Sequence, residues 1–363
     1  MKIVVNDVAA TPDAGGVFSI LSDFYNDIYE NDEENEWIFI LAGKYFKEKK
    51  NISIIVRNDL KKSSLKKFIF EIFFGGKFIN NLKPDVYISL QNISTLHVKA
   101  KRKIVYVHQP LPFTDIKIFS LLKKNERKLA FYQKIVGRII KYSIKRVAPY
   151  VIVQTEWMKK EILVRQMVEE SKIFVNHPVV KNIFTRNIYL SNWENTFFFP
   201  ASSFIYKNHN VIIEAVNILI SRFHISNFLV KFTINEDSIV TNSVVPSQIE
   251  FLGKIDRKDV FDLYYKSILI FPSYLETYGL PLLEAKNCGT IILAANTSFS
   301  HEILDAYENA YFFEPFDSYQ LAVLMYDSLT NNIKLKPIKV RREREIPLRV
   351  LVQSIIRESD VIA

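Results

Sequence analysis

The chain has 363 residues, 48% of them hydrophobic, which is enough for two domains of about 100–200 residues each with sizeable cores. Its formal charge is +9, and its one cysteine, Cys288, excludes an intrachain disulfide and fits a reducing compartment. No stretch approaches the roughly 20 apolar residues needed to span a bilayer, and the apolar run at the amino terminus is too short for a signal peptide. Short apolar runs alternate with longer polar-apolar segments. In chain order the predicted strands are residues 3–5, 37–41, 52–56, 86–90, 104–108 and 150–154, then 196–199, 228–233, 249–252, 269–271, 291–294 and 310–313. Such alternation predicts parallel sheets with helices on both faces. Residues 176–193 contain Pro178 and lack a helical period, so they read as a linker. The expected organisation is a first domain over residues 1–180, a second over 190–335, and a tail over 336–363. The tail holds a charge run at 339–345 and an apolar-periodic end at 348–356 that predicts a helix. Each domain is expected to be doubly wound, with a cleft between the two.

Basic residues concentrate in two aromatic-rich segments that predict helices. Over residues 61–83, Lys61, Lys62, Lys66, Lys67 and Lys77 lie beside Phe68, Phe70, Phe73 and Phe74; over residues 117–146 the only acid is Glu126. Basic amphipathic helices favour anionic membrane surfaces. Nucleic acid is the competing partner, but no helix-turn-helix, zinc-ligand or RNA-binding signature accompanies them, and a solvated basic face is the plain alternative.

Glycine is scarce, nine residues against a usual share of about 7%, so each is expected where other residues fail. Gly15 and Gly16 follow the first strand and open the first helix, where backbone amides can approach an anion; a plain turn explains the pair equally well. Gly279 occupies a second such position. It lies within the most distinctive stretch, residues 271–289, Phe-Pro-Ser-Tyr-Leu-Glu-Thr-Tyr-Gly-Leu-Pro-Leu-Leu-Glu-Ala-Lys-Asn-Cys-Gly. An apolar strand precedes it, Pro281 suits a helix start, and Gly289 suits the position just past the helix end. Glu276 thereby falls in the loop beyond a strand's carboxyl end, where ligands of open parallel sheets bind, and Glu284 falls one turn into the helix, facing back. Taken singly, each is also read as an ordinary loop or helix-start acid.

Residues 271–289 resemble the glutamate-pair motif of retaining glycosyltransferase family 4, a GT-B family of two Rossmann-like domains. Other segments resemble the family in the same order: Gly15-Gly16, the strand end Tyr106-Val107-His108-Gln109-Pro110, the strand and helix start at residues 151–158, Tyr206-Lys207-Asn208, and Phe251-Leu252-Gly253. The resemblance covers about residues 1–325. It implies transfer of a sugar from a UDP- or GDP-linked donor, with no cofactor and no metal. Glu276 would serve the sugar and Glu284 the ribose hydroxyls, a carboxylate being able to accept two bonds from a vicinal diol. Lys207 and the amides of Tyr278, Gly279 and Leu280 would cradle the diphosphate. Gly253 and Lys254 would lie near the base, and Thr277 beside the sugar.

The family often carries an arginine five residues before the loop lysine; here that position is Ser202, followed by Ser203. His108 is read as a ligand of a phosphate or acceptor hydroxyl, or as a structural histidine; Thr114 and Asp115 are acceptor-side candidates. His301 and Glu302 are explained nearly as well by helix capping from Ser298 or Ser300. The whole implies a retaining hexosyltransferase on the inner face of the plasma membrane. It would extend a lipid-linked saccharide in O-antigen or capsule assembly. The rival readings are a non-catalytic nucleotide-sugar-binding protein and a GT-B nucleotide-sugar epimerase.

Overall fold

The computed structural model describes residues 1–12, 16–61, 63–147, 149–178, 195–241, 243–337 and 346–358. Gly15, the linker beyond residue 178 and the charge run at 339–345 lie outside the described residues. The chain divides into two compact units, Met1–Val179 with Arg344–Ala363, and Val180–Glu343.

The first unit runs β1 (Lys2–Asp7), α1 (Gly16–Asn31), β2 (Glu36–Leu41), β3 (Ile52–Val56), α2 (Asn58–Lys61), α3 (Ser64–Ile69), α4 (Gly75–Asn81), β4 (Val86–Ser89), β5 (Arg102–Val107), α5 (Arg127–Phe131), α6 (Gly137–Val147), β6 (Tyr150–Val153), α7 (Glu156–Val164) and β7 (Ile173–Val175). Its parallel sheet has the order β3-β2-β1-β4-β5-β6-β7. Strands such as Val86–Ser89 are buried along their whole length, as expected where helices cover both faces.

The second unit runs β8 (Thr196–Phe199), α8 (His209–Ser221), β9 (Leu229–Phe232), β10 (Ile249–Phe251), α9 (Arg257–Lys266), β11 (Ile268–Phe271), α10 (Leu280–Cys288), β12 (Ile292–Ala295), α11 (Ser298–Ile303), β13 (Ala310–Phe313) and α12 (Ser318–Leu329). Its parallel sheet has the order β10-β9-β8-β11-β12-β13. Both sheets therefore reverse direction once, between β1 and β4 and between β8 and β11. Ligands of doubly wound sheets bind beyond the strand ends at such a switch point.

Every predicted strand is present. The strand that periodicity misses is β7, a three-residue apolar run. Both basic segments depart from single helices. Residues 117–126 are not helical: Phe119 N–H donates to the Gln133 side chain at 3.0 Å and Ser120 N–H to Glu126 at 2.8 Å, so side chains take the bonds a helix would form internally. In the other, a π-helical turn, Phe70–Phe74, separates α3 from α4, and a second such turn, Tyr132–Val136, separates α5 from α6. Gly76 is required just after the first: a Cβ there would collide with the Leu96 carbonyl oxygen.

The predicted carboxy-terminal helix is present as α13 (Leu348–Glu358), and it belongs to the first unit, against α1. Val352, Ile355 and Ile356 join the core that contains Leu21, Phe24 and Ile28. Arg349 pairs with Asp27 at 3.1 Å and Gln353 donates to Asp32 at 3.1 Å. Because Ile356 is 1% exposed, Ile356→Ala removes a filled core position; it is expected to destabilise the first unit by about 2–5 kcal/mol. Urea unfolding followed through buried Trp37 checks this, and an unchanged midpoint would show that α13 does not hold the unit together.

Candidate donor and acceptor sites

In the second unit the loops after β8 and β11 meet at the switch point. Tyr274 N–H donates to the Tyr206 carbonyl at 3.1 Å, and the Asn208 side chain donates to the carbonyls of Pro315 at 2.6 Å and Pro272 at 3.4 Å. Asn208 itself adopts the left-handed conformation that lets the chain enter α8. Across these joined loops Lys207 and Glu276 form a hydrogen-bonded ion pair, each side chain 16% exposed. The sequence assigns the two residues separate tasks; the structure brings them into contact.

Gly279 stands at the N-cap of α10 with φ +86° and ψ +59°, a conformation costly to any residue with a Cβ. Pro281 lies in the first turn, and Gly289, also left-handed, ends the helix. Leu280 begins α10, so the end carrying its amides and positive dipole follows directly on Thr277 and Tyr278. Glu284 is buried in α10, and its carboxylate turns to α9, accepting from Arg257 at 2.7 Å and from the Tyr264 hydroxyl at 3.0 Å. A carboxylate has about four acceptor positions, so two protein donors leave room for a diol.

Gly253 follows β10 with φ +65°, and Lys254 beside it is exposed. Ser202 and Ser203 are exposed in the loop after β8. His301 receives a plainer account: its Nε2 lies 2.6 Å from Asn296 Oδ1, and its ring stacks on Phe312 at 4.0 Å. The cap of α11 is Thr297, bonded to Ser300 N–H, rather than Ser298 or Ser300.

In the first unit, Gly16 opens α1 and nothing lies within 4 Å of where its Cβ would be. His108 follows β5. Its N–H donates to Asn92 Oδ1 at 2.7 Å, and its Nε2 meets the Leu90 carbonyl at 2.9 Å. A carbonyl accepts only, so Nε2 carries the proton and Nδ1 is the acceptor nitrogen. Thr114 is buried and accepts from Ile116 N–H at 3.3 Å; Asp115 is paired with Arg165 at 2.7 Å.

Sequence reasoning misses the polar cluster at this unit's switch point. Glu71, 1% exposed in the π-helical turn, accepts from Thr95, from Asn6 at 3.2 Å and from Gln91 at 2.5 Å. Asn6 also donates to the Tyr87 hydroxyl at 3.1 Å. Asp7, 1% exposed at the end of β1, accepts from Ala10 N–H at 3.2 Å, with Lys67 and Lys61 close enough to act on its charge. Burial drives the Asp7 carboxyl up to about 7 against those lysines, and raises Glu71 against its hydrogen bonds. One signal was available: Glu71 is the lone acid of the basic segment 61–83.

Residues 183–343 match the family model described as glycosyl transferases group 1. That match spans nearly all of the second unit and none of the first. A stretch of 94 residues, 26% of the chain, is 33% identical to the serotype-specific mannosyltransferase WbdA of Escherichia coli; it spans 11% of that protein's length. Among solved structures, the chain is similar to WaaG, a glycosyltransferase involved in lipopolysaccharide biosynthesis, with a TM-score of 0.61 and 17% identity over 90% of each chain. It is also similar to Anabaena Alr3699/HepE in complex with UDP-glucose, with a TM-score of 0.58 and 14% identity over 92% of this chain and 90% of that one. The lipopolysaccharide outer core galactosyltransferase WaaB gives 0.61 and 15% over 92% of each. At these identities the likeness establishes the fold, which is GT-B. Lys207, Glu276, Gly279 and Glu284 all lie within the matched residues 183–343.

The geometry around His108 fixes a pH dependence. Burial pushes the imidazole from 6.5 down to about 4, so between those values the unfolded chain binds a proton that the folded one refuses. Its contribution to stability is present above pH 6.5 and lost as the pH falls toward 4. Asp7 acts oppositely, its contribution being present below 3.8 and lost as the pH rises through about 7. His108→Gln removes the first effect alone. Its loss of stability from pH 6.5 to 4, read from urea midpoints, is expected to be shallower than the parent's; parallel profiles would contradict a ring held neutral in the folded chain.

Proposed function

We propose that the chain is a retaining glycosyltransferase that moves a hexose from a nucleotide sugar to a lipid-linked saccharide in the assembly of a surface polysaccharide. The observation that carries the reading is the Lys207–Glu276 pair at the switch point of the unit that matches the group 1 glycosyltransferases, one turn of chain from the amino end of α10. In cleavage of an anomeric carbon–phosphate bond, negative charge grows on the departing diphosphate and positive charge on the sugar. A cation and an acid held side by side match those two charges.

Lys207, the start of α10 and the hydroxyls of Ser202 and Ser203 would bind the diphosphate, and Glu284 the ribose. Glu276 would face the sugar, with Thr277, Tyr278 and Gly279 shaping its pocket. Gly253 and Lys254 would flank the base. The departing phosphate would take the acceptor proton on the same face, and no metal or cofactor would enter. His108 would orient the acceptor through Nδ1. The mannosyltransferase WbdA and the lipopolysaccharide enzymes WaaG and WaaB support a role in polysaccharide synthesis, and the UDP-glucose held by Alr3699/HepE supports the donor class.

The acceptor's lipid implies a membrane surface, and the first unit supports that reading. Phe73 and Phe74 are 68% and 64% exposed in the first π-helical turn, with exposed Lys66 and Lys77 on either side in sequence. Among the described residues no helix is long and apolar enough to cross a membrane. Attachment at the cytoplasmic face through these aromatics and lysines is part of the proposal, each lysine adding about 1 kcal/mol near an anionic surface.

Two measurements test the proposal. Incubation with a panel of nucleotide sugars and a lipid-linked acceptor should release nucleotide. Glu276→Ala should slow that release by about 100-fold or more, whereas release at the parent rate would remove Glu276 from the reaction. In flotation, the parent should rise with phosphatidylglycerol vesicles at low salt and less at high salt. The Phe73→Ser, Phe74→Ser double variant should stay at the bottom, and flotation equal to the parent's would exclude these aromatics as the anchor.

A further inference from the structure

Between the first π-helical turn and α6 of the first unit lies a cavity of about 270 Å³. One wall is Ile72, from the first turn; the floor is Ile93 and Leu96, from the segment after β4; the opposite wall is Arg138, Ile139 and Tyr142 of α6. The Ser143 hydroxyl there is already engaged, donating to the Ile140 carbonyl at 2.8 Å and accepting from Ser94 N–H at 3.2 Å. The cavity is held open by local structure. The π-helical turn frees the Glu71 carbonyl to accept Leu96 N–H at 3.0 Å, and Gly76 lets the chain pass directly over Leu96.

We infer that this cavity is the docking site for the hydrocarbon tail of a lipid phosphate, the anchor of the acceptor. The inference rests on the lipid-linked reading above and makes it specific. Three observations favour that occupant. The lining surface is almost wholly apolar, four of its residues being Ile72, Ile93, Leu96 and Ile139, so it rewards an apolar guest and offers a peptide backbone almost no partner. The charge suits an anion: residues 127–147 contain no acid, and Arg138 itself lines the cavity, where it could meet a phosphate at the mouth. Finally, the floor is continuous with the acceptor-side histidine. The same short segment supplies Leu90 and Asn92 to His108, Ile93 and Leu96 to the cavity, and Thr95 to Glu71. A lipid held by its first carbons here would have its head group next to the segment that orients His108.

The test measures binding without sugar transfer, on the full chain, by calorimetry below the micellar range of the probes. Affinity is expected to rise from prenyl to geranyl to farnesyl phosphate, with inorganic phosphate bound at least tenfold more weakly than farnesyl phosphate. Ile139→Trp and Ile72→Trp fill the cavity from opposite walls, and each should weaken farnesyl phosphate at least tenfold while leaving inorganic phosphate unchanged. Equal affinity across the chain-length series, or parent-like binding of farnesyl phosphate by both variants, would overturn the assignment. Intact farnesyl phosphate binding in a protein without transferase activity would sink the proposed reaction and leave the cavity's role standing.

Discussion

The candidate donor site depends on one contact, the ion pair between Lys207 and Glu276. Each charge is mostly withdrawn from water, and neither is tolerable there alone, because a desolvated charge without a partner costs several kcal/mol. The pair therefore fixes the two loops that leave the sheet on either side of its reversal. The backbone agrees with it: Tyr274 bonds to Tyr206, and Asn208 reaches both the β11 loop and the loop after β13. A cation and an anion that satisfy each other can also be separated by a ligand offering the complementary charges, a diphosphate to one and sugar hydroxyls to the other.

The first unit places a different polar arrangement at the equivalent point of its sheet. There the charges are nearly dry. Glu71 is held by three neutral donors, and Asp7 is driven toward neutrality by burial that nearby lysines only partly offset. Such a network rigidifies what it touches, because breaking any member strands a buried polar atom. It holds the segment after β4, from which Asn92 and Leu90 fix both the position and the tautomer of His108. The π-helical turn makes this possible, turning Glu71 inward while Phe73 and Phe74 face solvent.

Much of this was legible in the residues. Apolar runs separated by polar segments locate the strands because a parallel strand buried on both faces needs a continuous apolar stretch. The site motif was readable because Gly279, Pro281 and Gly289 each do what few other residues can. The rest needed coordinates for physical reasons. The Lys207–Glu276 contact joins positions far apart in sequence, and no local spacing encodes it. Glu71, Asp7 and Gln91 converge only when β1 and β4 become neighbours. The π-helical turns leave the apolar period of their segments nearly unchanged, so they passed for plain helices. The return of α13 to the first unit is invisible to periodicity, which shows that a face is apolar and not what covers it.

What happens to the ion pair when a donor binds decides the matter. A crystal structure with an intact nucleotide sugar measures this directly. The account predicts that Lys207 Nζ leaves Glu276 for a diphosphate oxygen, within about 3.2 Å, while Glu276 accepts from a sugar hydroxyl and Glu284 from the ribose. A nucleotide sugar bound elsewhere on the second unit, with Lys207 and Glu276 still paired, would contradict it.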